Sequence, residues 1–138
     1  MKPHPNAKFI REGGLPHMFC PGCGVGQIMN YFLYAIQELN LDIDDMVLIG
    51  GVGCNARIPV YIHADAIHGV HGRTLAWATG VKLANPELTV VIFAGDGDCA
   101  AIGGNHFIQA ARRNLDVTLI IVNNGIYGMT GGQVAPTT

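Results

Sequence analysis

An α/β fold, with a parallel sheet covered by helices on both faces, is what this sequence predicts, and three observations predict it. Strand-like and helix-like segments alternate along the chain. The strands are apolar at nearly every position instead of every second one, and two of them run directly into glycine-flanked polar residues. A strand buried on both faces has no solvent side to alternate toward, and parallel neighbours need a right-handed crossover between them.

The elements follow in order. Gly26 to Leu39 reads as a helix, with Ile28, Tyr31, Phe32, Ala35 and Leu39 on one face at helical spacing. An acidic turn, Asp42 to Asp45, leads into a short strand from Met46 to Ile49 and then the glycine-rich loop GGVGCN. Arg73 to Asn85 is helical again and stops at Pro86, which cannot continue a helix. Leu88 to Phe93 is the second strand, Ala100 to Arg113 the next helix, and Val117 to Val122 the third strand. Three strands are few for such a sheet, and the sequence finishes in the glycine-rich YGMTGGQVAPTT. Residues 1 to 138 are therefore expected to be the N-terminal part of a longer domain, or one that another chain completes.

Composition narrows the function classes. At 138 residues, with 49% hydrophobic and 13% charged, the chain can build one core but not two. A net charge of −2 with no basic run argues against a nucleic-acid surface. The opening MKPHPNAKFIREGGLPHMFC carries charges and prolines where a signal peptide would be apolar, and no apolar run approaches a membrane span, so a cytoplasmic location is expected. Four cysteines in such a chain suit metal ligation, catalysis or burial better than disulfides.

The chemistry is concentrated at strand ends. Parallel strands two and three finish at the same sheet edge, which brings Asp96 together with Asn123-Asn124. A carboxylate, an amide oxygen and a nearby carbonyl make half of an octahedral Mg²⁺ shell, which diphosphate oxygens and water could complete. Gly95 and Gly97 would let the backbone approach a phosphate, and a helix starting just after Cys99 would aim its positive end there. The bland alternative is a strand-end turn in which Asp caps a helix and Asn-Asn-Gly makes an ordinary turn. Cys20-Pro-Gly-Cys23 aims two thiols at one point, which suits a zinc half-site with His17, a redox dithiol or, with Cys54 at the same sheet edge, a 4Fe-4S cluster lacking one ligand.

The run from Gly95-Asp-Gly97 to Asn123-Asn124 resembles the thiamine diphosphate motif, which implies Mg²⁺ on Asp96, Asn124 and the carbonyl of Ile126. Nearly the whole chain resembles the β subunits of the 2-oxoacid:ferredoxin oxidoreductases. The stretches are LPHMFCPGCG (15 to 24), GVGC (51 to 54), HGVHGRTLAWATGVKLANPEL (68 to 88), GDGDCAAIGGNHFIQAARRN (95 to 114) and NNGIYGMTGGQVAPTT (123 to 138). LPHMFCPGCG with IGGNHF, AARRN and YGMTGGQ looks most like the 2-oxoglutarate type, with pyruvate and branched-chain types as alternatives.

The resemblance implies a thiamine diphosphate-binding domain over residues 1–138, with Cys20, Cys23 and Cys54 as cluster ligands and a fourth without counterpart here. It implies cofactor contacts from Val52, Gly53, Cys54 and Asn55, from His71, and from Gly128 and Met129, with Asp98 serving through amides and water. It implies an α subunit that binds the pyrimidine half and carries the activating carboxylate, so no catalytic base is nominated in this chain. A hetero-oligomer, coenzyme A, ferredoxin and an anaerobic habit also follow from it.

Weaker signals are set aside. Gly51-Val-Gly53-Cys-Asn-Ala56 fits a dinucleotide fingerprint, yet Ile58-Pro59 interrupts the helix that such a fingerprint needs. Cys99 and Trp77 with Leu75 and Val81 read as core. His68 suits capping, His106 and Arg112-Arg113 a helix face, and His4 and His17 are uninformative alone. Three other classes remain open: a thiamine-dependent decarboxylase or synthase without redox chemistry, a zinc-binding module, and a non-catalytic assembly subunit.

Overall fold

The computed structural model describes residues 4–138. Four strands form one sheet in the order β2-β1-β3-β4, every pairing parallel: β1 is Met46–Gly50, β2 Asp65–His68, β3 Thr89–Gly95 and β4 Thr118–Val122. The predicted class is thus observed, with one strand more than the sequence suggests. β2 (DAIH) is short, polar and mostly exposed, so it lacks the apolar run that marks the other three.

Strand parity explains why β1 and β3 read as continuously apolar. Met46, Leu48, Val91 and Phe93 point to one face and pack with Met29, Leu33, Ile36, Ile58 and Ile62. Val47, Ile49, Val90, Ile92 and Ala94 point to the other and meet Leu75, Ala78 and Ala110. Successive side chains of a strand leave on opposite sides, so both sets are buried only because helices cover both.

Helix α1, Val25–Glu38, covers the first face. Its buried stripe is Val25, Met29, Leu33 and Ile36, a step of three to four residues. This corrects the predicted face: Tyr31 and Leu39 are each 66% exposed, and Ile28 and Phe32 only flank the core. The helix ends where Asn40 takes a left-handed conformation at φ 50°, with the Leu41 amide donating to Ile36. A short helix α2, Ile58–Tyr61, precedes β2 on the same side.

Helices α3, Thr74–Ala84, and α4, Gly104–Arg112, cover the second face. Leu75 and Ala78 are buried under α3, but Trp77 is 47% exposed, so the expectation that it is core does not hold. Its ring instead lies against Gly69, where a Cβ would come within 3.0 Å. The chain also turns helical earlier after β3 than predicted. A π-helical turn spans Gly97–Ile102 before α4 begins.

Register fixes the functional edge. Gly50 pairs with both His68 and Phe93, and Gly95 with Val122, so the carboxyl ends of all four strands open on one side. Beyond β4, the hairpin β5 (Ile126–Tyr127) and β6 (Gln133–Val134) folds back over that edge. Among the described residues no helix is long and apolar enough to cross a membrane.

Candidate functional site

Asp96 leaves β3 directly into the π-helical turn and is only 3% exposed. Its Oδ1 accepts from the Asn124 amide at 3.3 Å, and its Oδ2 accepts from the Thr137 hydroxyl. Burial pushes its carboxyl pKa up, but the hydrogen bonds from Thr137 and from the Asn124 and Gly97 amides outweigh that and hold it below the ordinary value. An ionised, nearly buried carboxylate at a sheet edge is a ready ligand for a hard cation.

The parallel register brings Asn124 to Asp96 as predicted. The Asn124 side-chain oxygen accepts from the Ile126 amide at 3.2 Å across Gly125, whose φ of 69° makes the tight turn possible. Asp96, Asn124 and Ile126 therefore share one corner, and with Asp96 the single carboxylate of the three, ligand oxygens must complete any cation shell. Thr137, to which the sequence reading gave no role, is a neighbour of the carboxylate that only the fold-back of the hairpin reveals.

A cavity of about 120 Å³ adjoins this corner, lined by Val52, Gly53, Cys54, Asn55, His71, Gly95, Gly97, Asp98, Asn124, Ile126, Gly128 and Met129, with Tyr127 among them. The predicted contacts thus gather in one place. Asn55 is buried with its Nδ2 unpartnered, an orphaned donor beside the cavity. Gly128 faces Cys54, and a Cβ added there would lie 4.0 Å from its sulfur.

Two further details come from the structure. A Cβ on Gly97 would lie 2.5 Å from the Tyr127 ring, whose hydroxyl donates to the Gly97 carbonyl at 3.4 Å. Glycine there makes room for the tyrosine ring. Asp98 borders the cavity, and its Oδ1 is bound to His71 Nδ1 at 2.5 Å and to the Gly72 amide at 2.6 Å. His68 is exposed at the end of β2, and His106 and Arg113 line a groove between α3 and α4, apart from the corner.

The cysteines are less gathered. Cys20 and Cys23 share an exposed turn, the Cys23 amide donating to the Cys20 carbonyl at 3.2 Å. Cys20 lines a separate cavity of about 490 Å³ with His17, whereas Cys54 is half-buried beside the Asp96 corner. Among the described residues no group of three or more His, Cys, Asp or Glu is placed to hold a metal ion. Cys99 is buried in the core, and burial, with the nearby Asp98 charge, raises its thiol to about 11. Native-state alkylation is therefore expected to modify Cys20 and Cys23 rapidly and to spare Cys99 until denaturant is added. Prompt modification of Cys99, read by peptide mass, would contradict its burial.

Residues 51–138 match the family described as thiamine pyrophosphate enzyme, C-terminal TPP binding domain. The chain is 57% identical over 135 residues to the 2-oxoglutarate synthase subunit KorB of Methanocaldococcus jannaschii, covering 98% of this chain and 50% of that protein. It is 46% identical over 119 residues to the 2-oxoacid:ferredoxin oxidoreductase 2, subunit beta, of Aeropyrum pernix, covering 86% of this chain and 38% of that one. A solved structure, the 2-oxoglutarate:ferredoxin oxidoreductase from Magnetococcus marinus with 2-oxoglutarate, coenzyme A and succinyl-CoA bound, superposes with a TM-score of 0.90 at 40% identity, over 99% of this chain and 46% of that one. The chain spans about half the length, or less, of the curated relatives it matches. With the GDG and NN corner and the parallel sheet both in place, the chain belongs to the thiamine pyrophosphate enzymes, by way of their TPP-binding domain, and resembles the β subunits of the 2-oxoacid:ferredoxin oxidoreductases along its length.

Proposed function

We propose that this chain is the thiamine diphosphate-binding part of a 2-oxoacid:ferredoxin oxidoreductase β subunit. With an α subunit it oxidatively decarboxylates a 2-oxoacid, 2-oxoglutarate foremost. Coenzyme A takes the acyl group as succinyl-CoA, carbon dioxide leaves, and an electron pair passes to ferredoxin. The observation that carries this reading is Asp96, a nearly buried carboxylate held ionised where Asn124 and Ile126 meet it. The identity to 2-oxoglutarate synthase subunits supports the choice of substrate over pyruvate and branched 2-oxoacids.

The residues at the corner fit the cofactor. Asp96, the Asn124 side chain and the Ile126 carbonyl would hold Mg²⁺ against the diphosphate. Thiamine diphosphate, when bound, supplies the nucleophilic carbon and electron sink that decarboxylation of a 2-oxoacid needs. The Asn124 oxygen has a second lone pair beside the one that takes the Ile126 amide, so it can face a cation while the turn at Gly125 stays closed. The Val52–Asn55 loop and Gly128–Met129 wall the cavity and limit water around the bound group.

Cys20, Cys23 and Cys54 are the proposed ligands of a 4Fe-4S cluster, and since they do not converge here no step is routed through it. The second reading is a thiamine-dependent decarboxylase or synthase without redox chemistry. Visible absorption of the anaerobic full-length chain with its α partner separates the two. A brown band that bleaches on adding 2-oxoglutarate and coenzyme A, with iron lost but thiamine diphosphate retained in Cys54→Ala, is expected. A colourless complex that still binds thiamine diphosphate would establish the second reading instead.

A further inference from the structure

The cavity beside Asp96 would receive a polyanion, yet among the described residues lining it there is no lysine or arginine, and His71 is the one side chain able to carry positive charge. The His71 ring is not free to turn. Its Nδ1 lies 2.5 Å from Asp98 Oδ1, which also accepts from the Gly72 amide at 2.6 Å, and its face meets the Tyr127 ring edge-on at 6.0 Å between centroids. Asp98 is 2% exposed, and its Oδ2 has no partner. That oxygen rests against Gly51, where a Cβ would sit 1.9 Å from it. A carboxylate so enclosed repels a phosphate and cannot be its direct ligand. With Nδ1–H committed to Asp98, Nε2 is the nitrogen left for the cavity.

We infer that Asp98 is a positioning residue acting through His71: its carboxylate accepts from Nδ1–H of the imidazolium form and fixes the ring so that Nε2–H donates to an anionic oxygen, phosphate or carboxylate, of the ligand in this cavity. The inference rests on the function proposed above and adds to it a division of labour within GDGD, in which Asp96 serves the cation and Asp98 serves the histidine. It also accounts for Gly51, which the dinucleotide fingerprint does not.

A double-mutant cycle on the full-length chain with its partner tests this. His71→Asn keeps a donor for Asp98 but removes the outer nitrogen. Asp98→Asn keeps a neutral acceptor for Gly72 and His71 but removes the charge. Three quantities are read: Kd for thiamine diphosphate with Mg²⁺, KM for the 2-oxoacid at saturating cofactor, and the melting midpoint. His71→Asn is expected to weaken Kd or KM by roughly tenfold or more, Asp98→Asn by less, and the pair by no more than His71→Asn alone, all at an unchanged midpoint. A loss in Kd identifies a diphosphate oxygen as the partner; a loss in KM alone identifies the substrate carboxylate. Losses that multiply in the pair would overturn the inference, because Asp98 would then act on its own. If Asp98→Asn does not fold, His71→Asn still decides, since wild-type Kd and KM in that variant also overturn it. A wild-type complex that binds no thiamine diphosphate sinks the proposed function and this inference together, whereas binding with multiplicative losses sinks the inference alone.

Discussion

Replacing Asp96 by alanine is expected to abolish Mg²⁺-dependent binding of thiamine diphosphate while the fold survives. The side chain is held by the Asn124 and Gly97 amides and the Thr137 hydroxyl and belongs to neither hydrophobic core, so its removal opens no large apolar cavity. What it does remove is the only carboxylate among the proposed metal ligands. Even outer-shell partners of metal ligands cost about 10–100-fold in affinity when lost, and a first ligand is worth more. Titration calorimetry on the full-length chain with its partner, with and without Mg²⁺, reads the effect, and unchanged affinity would remove Asp96 from the site. The pH dependence has a defined sign. Because the folded carboxyl is held below its ordinary value, Asp96 remains ionised on mild acidification, and its contribution is lost only as pH falls through that depressed value. Cofactor binding controlled by Asp96 should therefore persist below the usual carboxylate range before it fails.

The corner was legible because parallel topology converts sequence order into position. Once the runs at Leu88–Phe93 and Val117–Val122 are strands of one parallel sheet, Asp96 and Asn124 must share an edge, whatever lies between them. Interactions made by loops folding back carry no such rule. Thr137 on Asp96 and Tyr127 against Gly97 depend on how the β5–β6 hairpin closes, and no periodicity reports that. His71 and Asp98 were each visible as polar residues beside glycines, but their pairing spans two different crossovers and was not. The face of α1 was misread because Tyr31 and Leu39 are apolar by type, whereas burial followed Met29, Leu33 and Ile36, which the sheet actually reaches. β2 escaped notice for the converse reason: an edge strand with a polar outer row has no core pattern to show.

Substituting Gly50 by alanine is expected to be strongly destabilising. A Cβ there would stand 2.2 Å from the Ala56 carbonyl oxygen and 3.0 Å from its carbon, contacts with backbone and not with a flexible side chain. Neither partner can yield. Gly50 is hydrogen-bonded on both sides, in register with His68 and Phe93, and its carbonyl accepts the Gly69 amide at 2.8 Å. Ala56 is fully buried in the turn Asn55–Arg57, and Ile58 beyond it is a fully buried member of the core. Relief would push that turn outward, and Cys54 and Asn55 would move with it, so the cavity should open as stability falls. Overpacking of this kind costs about 3 kcal/mol at the upper end of its range. For a chain of this size that corresponds to a fall of roughly 10 °C in melting midpoint. Gly80→Ala is the matched control, since its Cβ would meet nothing within 4 Å and it lies in the interior of α3, where alanine favours the helix by up to about 1 kcal/mol. Calorimetric melting of both variants in the full-length chain should therefore move in opposite directions. A Gly50→Ala midpoint equal to wild type would mean that β1 and the Asn55–Arg57 turn are not held together as this structure has them.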